Sequence, residues 1–347
     1  MTLRAAAALN NITICAGMRN WTVFSGTTGL QTLVETHYNA LMPGNAFKWD
    51  STEPTQGVFD FTDTDLFVNW ADARGMPTRV HTLVWHNQLP AWVASAVNSG
   101  TWQSIINTHI AGVLGHYPGR TWDVEVCDEV FDLASTDPKG YRESLWYDAA
   151  GGADYVPYAF ERARVAAPDA KLYISDFRLE HRDDQQKRDW FLAGVEDWLS
   201  QDIPIDGVSI QSHMNCDETL DRLAFRRFLS DLRGLGLEIA ISEFDFRDID
   251  FLGLNDADAF KFIGQYARDY LRLVLSAGVR TVVSWGVAPE DWTGTGTEQI
   301  PATPFGASPT FAETSIAGAM RATFPPDPVQ QSTRNLVTVV EIEALDY

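Results

Sequence analysis

Glu129 and Glu243 are the residues whose type and placement could do the most chemistry. Each sits at or near the end of a short apolar, β-branched run, 122–129 and 237–245. Glycoside hydrolysis needs such a pair: one carboxyl protonates the leaving oxygen and the other attacks the anomeric carbon. A separation of about 5–5.5 Å would give retention of configuration, a distance that chain spacing leaves open. Other run ends carry polar and aromatic groups: Asn45 and Lys48; His81, Trp85, His86 and Gln88; Asp128; Asp176, Phe177 and Arg178; Gln211 and His213; Asp245; and Trp285, with Trp292 in the loop beyond. Indoles stack on the apolar faces of sugar rings, and amides and carboxylates bond hydroxyls, so the set suits a carbohydrate or another small polar substrate. A metal cage of His81, His86 and Glu129 has no recognised ligand spacing, and no metal or cofactor is expected.

These side chains need a frame that brings strand ends together. Eight candidate strands (12–18, 40–43, 78–85, 122–129, 171–177, 207–213, 237–245 and 281–287) alternate with helical spacing over 63–74, 102–116, 155–166, 183–199, 219–235, 257–276 and 313–322. That alternation predicts a (β/α)8 TIM barrel, whose chemistry collects at the C-terminal strand ends. A doubly wound sheet is the rival, and no Gly-rich phosphate loop follows any strand. Residues 1–324 read as the barrel. Residues 325–347, opened by Pro325, Pro326 and Pro328, read as a tail that docks on it or reaches a partner. The run 247–258 reads as a solvated loop over the mouth.

Length and composition agree. A chain of 347 residues, 45% hydrophobic and 21% charged, can bury one large core. No apolar run approaches the roughly 18 residues of a membrane span. The net charge of −21 repels phosphate, which argues against nucleic acid and anionic membrane partners. Oligomeric state is not legible. Cys15, Cys127 and Cys216 form neither a disulfide framework nor a C-x-x-C pair. Two sequons, at Asn11 and Asn20, are near chance. The N-terminus does not read as a signal peptide. The expectation is a cytoplasmic protein if the chain is complete, and a secreted one if a leader was removed.

Several segments are more specific. PGNAFKWDSTEPTQGVFDFTDTDLFVNWA, VHTLVWHNQLPAWV, VCDEVFD, KLYISDF, PIDGVSIQSHM, AISEFDF and SWGVAPEDW occur in this order, and the chain resembles glycoside hydrolase family 10, the retaining endo-β-1,4-xylanases, from about Leu3 to Phe324. The resemblance implies that Glu129 is the general acid/base and Glu243 the nucleophile. His213 and Asp245 would orient the nucleophile. Gln211, His81 and Lys48 would contact the sugar at the cleavage point, Asn45 and Gln88 would bind sugar, and Trp85, Trp285 and Trp292 would form aromatic walls.

Departures from that pattern matter. Asp128 stands where the family has an Asn that donates to the sugar 2-hydroxyl; ionised, it has no donor, and beside two carboxylates it would share protons and raise pKa values. Gly44 replaces a Glu that grips a second sugar, leaving open space. Glu125 replaces an Asp, Phe177 lacks a hydroxyl on the leaving-group side, and Arg178 adds a cation there. The family's common Cys pair before the last strand is absent. The expected function is a retaining β-glycoside hydrolase of divergent specificity. Non-hydrolytic acid/base chemistry in small-molecule biosynthesis, or a binding protein without turnover, remain as alternatives.

Overall fold

The apolar runs become parallel strands: β1 (Thr13–Met18), β2 (Ala40–Pro43), β3 (Asp123–Asp128), β4 (Lys171–Asp176), β5 (Gly207–Ile210), β6 (His213–Asn215), β7 (Glu238–Arg247) and β8 (Thr281–Trp285). A computed structural model describes residues 1–120, 122–216, 218–247, 256–292 and 303–324. The strands pair in the order β2-β1-β8-β7-β5-β4-β3, with β6 extending the β5 side of β7. β2 and β5 are buried throughout, and β8 from its second residue on. This is the near-continuous apolar signature of parallel strands covered on both faces.

The open path closes through 78–84. Leu41 bridges Thr78 on one side; Val80 and Val84 bridge Val124 and Cys127 on the other. The expected third strand, 78–85, is therefore a broken stave. Its ladder is interrupted at His81 and Thr82, and the Thr82 hydroxyl joins the Leu83 N–H in donating to the Glu125 carbonyl, at 2.9 and 3.1 Å. The expected sixth strand, 207–213, is likewise split at Gln211 and Ser212 into β5 and β6.

Helices at 102–116 and 155–166 lie where expected, and the one expected at 183–199 is a 3-10 turn at 182–184 followed by a helix over 185–200. A short helix over Leu30–His37 links β1 and β2 and has no counterpart in the expected elements. No described helix is long and apolar enough to cross a membrane. The expected tail 325–347 lies outside the described residues.

Beneath the mouth, one buried guanidinium ties the broken stave to β3 and β5. Arg79 donates to Asp123 at 2.8 Å, to Glu125 at 3.2 and 3.3 Å, and to Ser209 at 2.6 Å. Burial alone would raise the Glu125 pKa; Arg79 and His81 outweigh it and hold the carboxyl down at about 2. Replacing one partner of a buried pair strands the other, so Arg79→Met should cost about 3–5 kcal/mol in urea unfolding. Glu125 has a depressed folded pKa, so its contribution is present above its unfolded value of roughly 4.3 and lost as pH falls toward 2. Unfolding free energies of wild type and Glu125→Gln, compared across that window, should converge; a constant gap would refute the assignment.

Candidate active site

The strand ends meet at one rim, and the backbone there is bent to aim side chains. Glu129 lies one residue beyond β3 with φ +55°, its N–H donating to the Ser175 carbonyl at 2.9 Å. Gln88, Arg178 and Ser212 also have positive φ, so four of the seven such non-glycine residues described cluster at this rim. Each such conformation costs on the order of 1–3 kcal/mol and persists only where the surroundings over-determine it.

Glu243, in β7, is 4% exposed, and its N–H donates to the Gln211 carbonyl at 2.8 Å. His213 sits between two carboxylates: Nε2 lies 3.1 Å from Glu243 Oε2 and Nδ1 lies 2.9 Å from Asp245 Oδ1. Both nitrogens can donate only as imidazolium. Burial opposes that charge and Asp245 outweighs it, raising the His213 pKa to about 9. Arg247 donates to the other Asp245 oxygen at 3.2 Å and lays its guanidinium against the His213 ring. Glu243 Oε1 is buried and accepts no hydrogen bond.

On the opposite stave, one amide spans two carboxyls. Gln211 Nε2 donates to Asp128 Oδ1 at 3.2 Å and to Glu129 Oε1 at 3.1 Å. His86 Nδ1 lies 3.7 Å from Glu129 Oε2. Burial, reinforced by Arg142, lowers the His86 pKa, which favours the neutral ring. Arg142 donates to the Glu129 carbonyl at 2.7 Å and to Asp132 at 2.7 Å, fixing the loop behind Glu129. Asp128 is 4% exposed. Burial first, then the charges of Glu129, Glu243 and Glu125, push its pKa well up. Of the two consequences expected of Asp128, a raised pKa is the direction found.

The polar shell is assembled around Lys48. Its Nζ donates to Gln88 Oε1 at 2.6 Å and Asn45 Oδ1 at 3.1 Å and lies 4.7 Å from the centre of the Trp85 ring. Burial lowers its pKa, partly offset by Glu243 and Asp128. Trp49, next to Lys48, stacks on His109 at 3.7 Å and on Trp146 at 4.9 Å, and Trp146 donates to the Trp85 carbonyl at 2.8 Å. His81 is held by Glu125 at 2.6 Å, with the Trp285 ring edge-on at 5.4 Å. The open space expected beside Gly44 is filled by Trp285. A Cβ there would lie 3.0 Å from the Trp285 ring, which is itself 8% exposed.

His81, Asp128 and Glu243 offer ligand-type atoms within 4.8 Å of one another. Lys48 already supplies positive charge against two of them, so the grouping reads as carboxylates around an ammonium rather than a metal cage. Cys127 is fully buried, and burial pushes its thiol well up, so it is unreactive.

Two expected contacts take other partners. Arg178 is engaged by Asp184 and Glu218, each at 3.0 Å, so its charge is largely neutralised. The Phe177 ring lies 3.7 Å under Lys187 Nζ, and Lys187 in turn pairs with buried Asp176 at 2.6 Å. Trp292 closes the 3-10 turn Pro289–Trp292, and its side chain lies outside the description, as do residues 248–255 of the expected mouth loop. Arg142 and Arg247 were not expected in the site. Arg247, read as the start of a solvated loop, ends β7 instead; its position two residues beyond Asp245 was the available signal.

Comparison with known proteins agrees with this geometry. The sequence profile described as Glycosyl hydrolase family 10 matches residues 2–307. Endo-1,4-beta-xylanase C of Phanerodontia chrysosporium is 33% identical over 281 residues, 78% of this chain and 67% of that protein. Endo-1,4-beta-xylanase 1 of Humicola insolens is 37% identical over 211 residues, 60% of this chain and about half, 48%, of the relative's length. The crystal structure of xylanase 10B from Thermotoga maritima superposes with TM-score 0.81 at 27% identity, covering 93% of this chain and 98% of that one. Xylanase 10B from Thermotoga petrophila, solved with xylobiose, gives 0.80 at 25%, covering 93% and 97%. The (β/α)8 barrel with its two rim glutamates thus has its place: the chain belongs to glycosyl hydrolase family 10.

Proposed function

We propose that the protein is a retaining β-glycoside hydrolase acting on β-1,4-linked xylose, with short xylosides preferred over long xylan. The observation that carries the reading is the unequal treatment of the two glutamates. Glu243 is buried and clamped through one oxygen by His213, while its other oxygen accepts no hydrogen bond. Glu129 is more exposed, at the open side of the mouth, with a backbone bent to present it. In the proposed double displacement, Glu243 Oε1 attacks the anomeric carbon while Glu129 protonates the leaving oxygen. Glu129 then takes a proton from water as it attacks the glycosyl-enzyme. The imidazolium of His213 orients Glu243, and Lys48, Asn45 and Gln88 hold sugar hydroxyls. Relatives named endo-1,4-beta-xylanases and a neighbour solved with xylobiose support the xylose assignment.

The preference for short substrates rests on Gly44. The carboxylate that the family resemblance places there is missing, and Trp285 stands against the glycine. A second reading, acid/base chemistry on another small molecule, draws on the additional carboxylate Asp128 and uses the same glutamates.

Aryl β-xylobiosides, aryl β-cellobiosides and xylan test the reading directly. Glu243→Gln should lower kcat by about 10⁴-fold or more on any substrate turned over. Glu129→Ala should lose most activity on poor leaving groups and far less on dinitrophenolate, which needs no proton. If the wild type cleaves none of these substrates, the hydrolase reading fails and the second one takes its place. Gly44→Glu should not recover a grip on xylan, because its Cβ meets Trp285; kcat/KM on xylobiosides should fall roughly tenfold. A gain would show that Trp285 yields.

A further inference from the structure

Asp128 is a third carboxyl in a site whose proposed chemistry employs two. Its surroundings can be read stave by stave. Glu125 and Glu129 flank it on its own segment. Glu243 comes from β7, and His81, on the broken stave, is held by Glu125. Gln211, beyond β5, gives one N–H to Asp128 and the other to Glu129. Ser175 comes from β4, and Lys48 from the loop after β2.

The cations near it are already engaged. Two of the three Lys48 donors go to Asn45 and Gln88. Both His213 nitrogens face Glu243 and Asp245. Arg79 serves Glu125 and Asp123. Among the described residues, no cationic group lies within ion-pair distance of Asp128. Three carboxyls, two of them buried, therefore crowd one partly committed ammonium. Like charges at such a range cannot all stay ionised. If Glu243 is the nucleophile and Glu129 carries the acid proton, the remaining proton falls to Asp128, which is far less exposed than Glu129.

We propose that Asp128 works as a neutral carboxylic acid, donating a hydrogen bond to the substrate hydroxyl beside the anomeric carbon. This rests on the hydrolase reading above. A ligand-type oxygen of Asp128 lies within 4.8 Å of one on Glu243, which puts the hydroxyl next to a carbon attacked by Glu243 within reach of Asp128. The Gln211 amide already donates to Oδ1, which leaves Oδ2 to carry the proton. No bond to that proton breaks during turnover; the acid only donates, as an amide in its place would. A carboxylic acid kept neutral by its site to serve as a donor has precedent in enzyme chemistry. Raising the pH removes that donor.

The test uses 2,4-dinitrophenyl β-xylobioside, whose leaving group needs no proton, so Glu129 drops out of the glycosylation step. Wild-type kcat/KM should decline on the alkaline side as Asp128 ionises. Asp128→Asn keeps a donor that does not titrate. It should stay within about tenfold of wild type near neutrality and decline only as His213 discharges, near pH 9. An identical alkaline limb in the two proteins, or a large uniform gain in Asp128→Asn at every pH, overturns the proposal. Infrared spectra of the free proteins provide a readout independent of turnover. Wild type should show a protonated-carboxyl carbonyl contribution at neutral pH that Asp128→Asn lacks, over the signals both proteins share from Glu129 and from Asp291, whose burial raises its pKa to about 7; identical carbonyl spectra in the two proteins overturn the proposal. If neither protein cleaves any xyloside, the hydrolase reading fails, and the infrared band still decides the state of Asp128.

Discussion

The constraint on which the rest of this structure depends is the convergence of carboxyl groups in a largely buried space. Asp128, Glu129, Glu243, Glu125 and Asp245 approach one rim from two sides of the barrel. An unpaired buried charge is expensive, so each needs a partner, a proton or access to solvent. The molecule answers in two tiers. Below, Arg79 neutralises Glu125 and Asp123 and thereby fixes His81. Above, the His213 imidazolium and Arg247 answer Glu243 and Asp245, and Lys48 faces the remaining group with donors already shared among amides. Much of the rim's odd local geometry, from the left-handed Glu129 to the break at Ser212, serves this neutralisation.

That geometry also explains how the site stays assembled. Glu129, Gln88, Arg178 and Ser212 hold conformations that isolated residues avoid. Each is tied down: Glu129 by Ser175 and Arg142, Gln88 by Lys48, Arg178 by two acids, and Ser212 by Tyr270 at 2.5 Å. Donors and carboxyls are thereby positioned before substrate arrives, which limits the reorganisation left to the reaction.

Much of this was legible from sequence, because parallel strands buried on both faces leave continuous apolar runs and their ends fall at one rim. The positions of Glu129, Glu243, His213, Asp245 and Gln211 follow from that rule together with the motifs around them. What stayed hidden depended on partners distant in the chain. The stave at 78–85 has a strand-like composition, yet its ladder breaks at His81 and Thr82, where a threonine hydroxyl joins the pairing. Arg178 looked like a free cation because Asp184 and Glu218 come from other segments. Arg247 looked like loop because its neighbours are acidic and polar, while its target, His213, lies across a strand pair. Charge state was the least legible of all. Asp128 reads as an ordinary anion in one dimension, and the burial and neighbouring carboxyls that push its pKa up show only once the chain is folded.

Gly44 and Trp285 bear on the evolutionary history available to this barrel. The indole edge lies 3.0 Å from where the first carbon of any side chain at position 44 would go, so the two positions are sterically coupled. A carboxylate at 44 clashes while Trp285 keeps its pose, and moving Trp285 disturbs the ring packed against His81. A side chain at position 44 and the pose of Trp285 are therefore expected to change together.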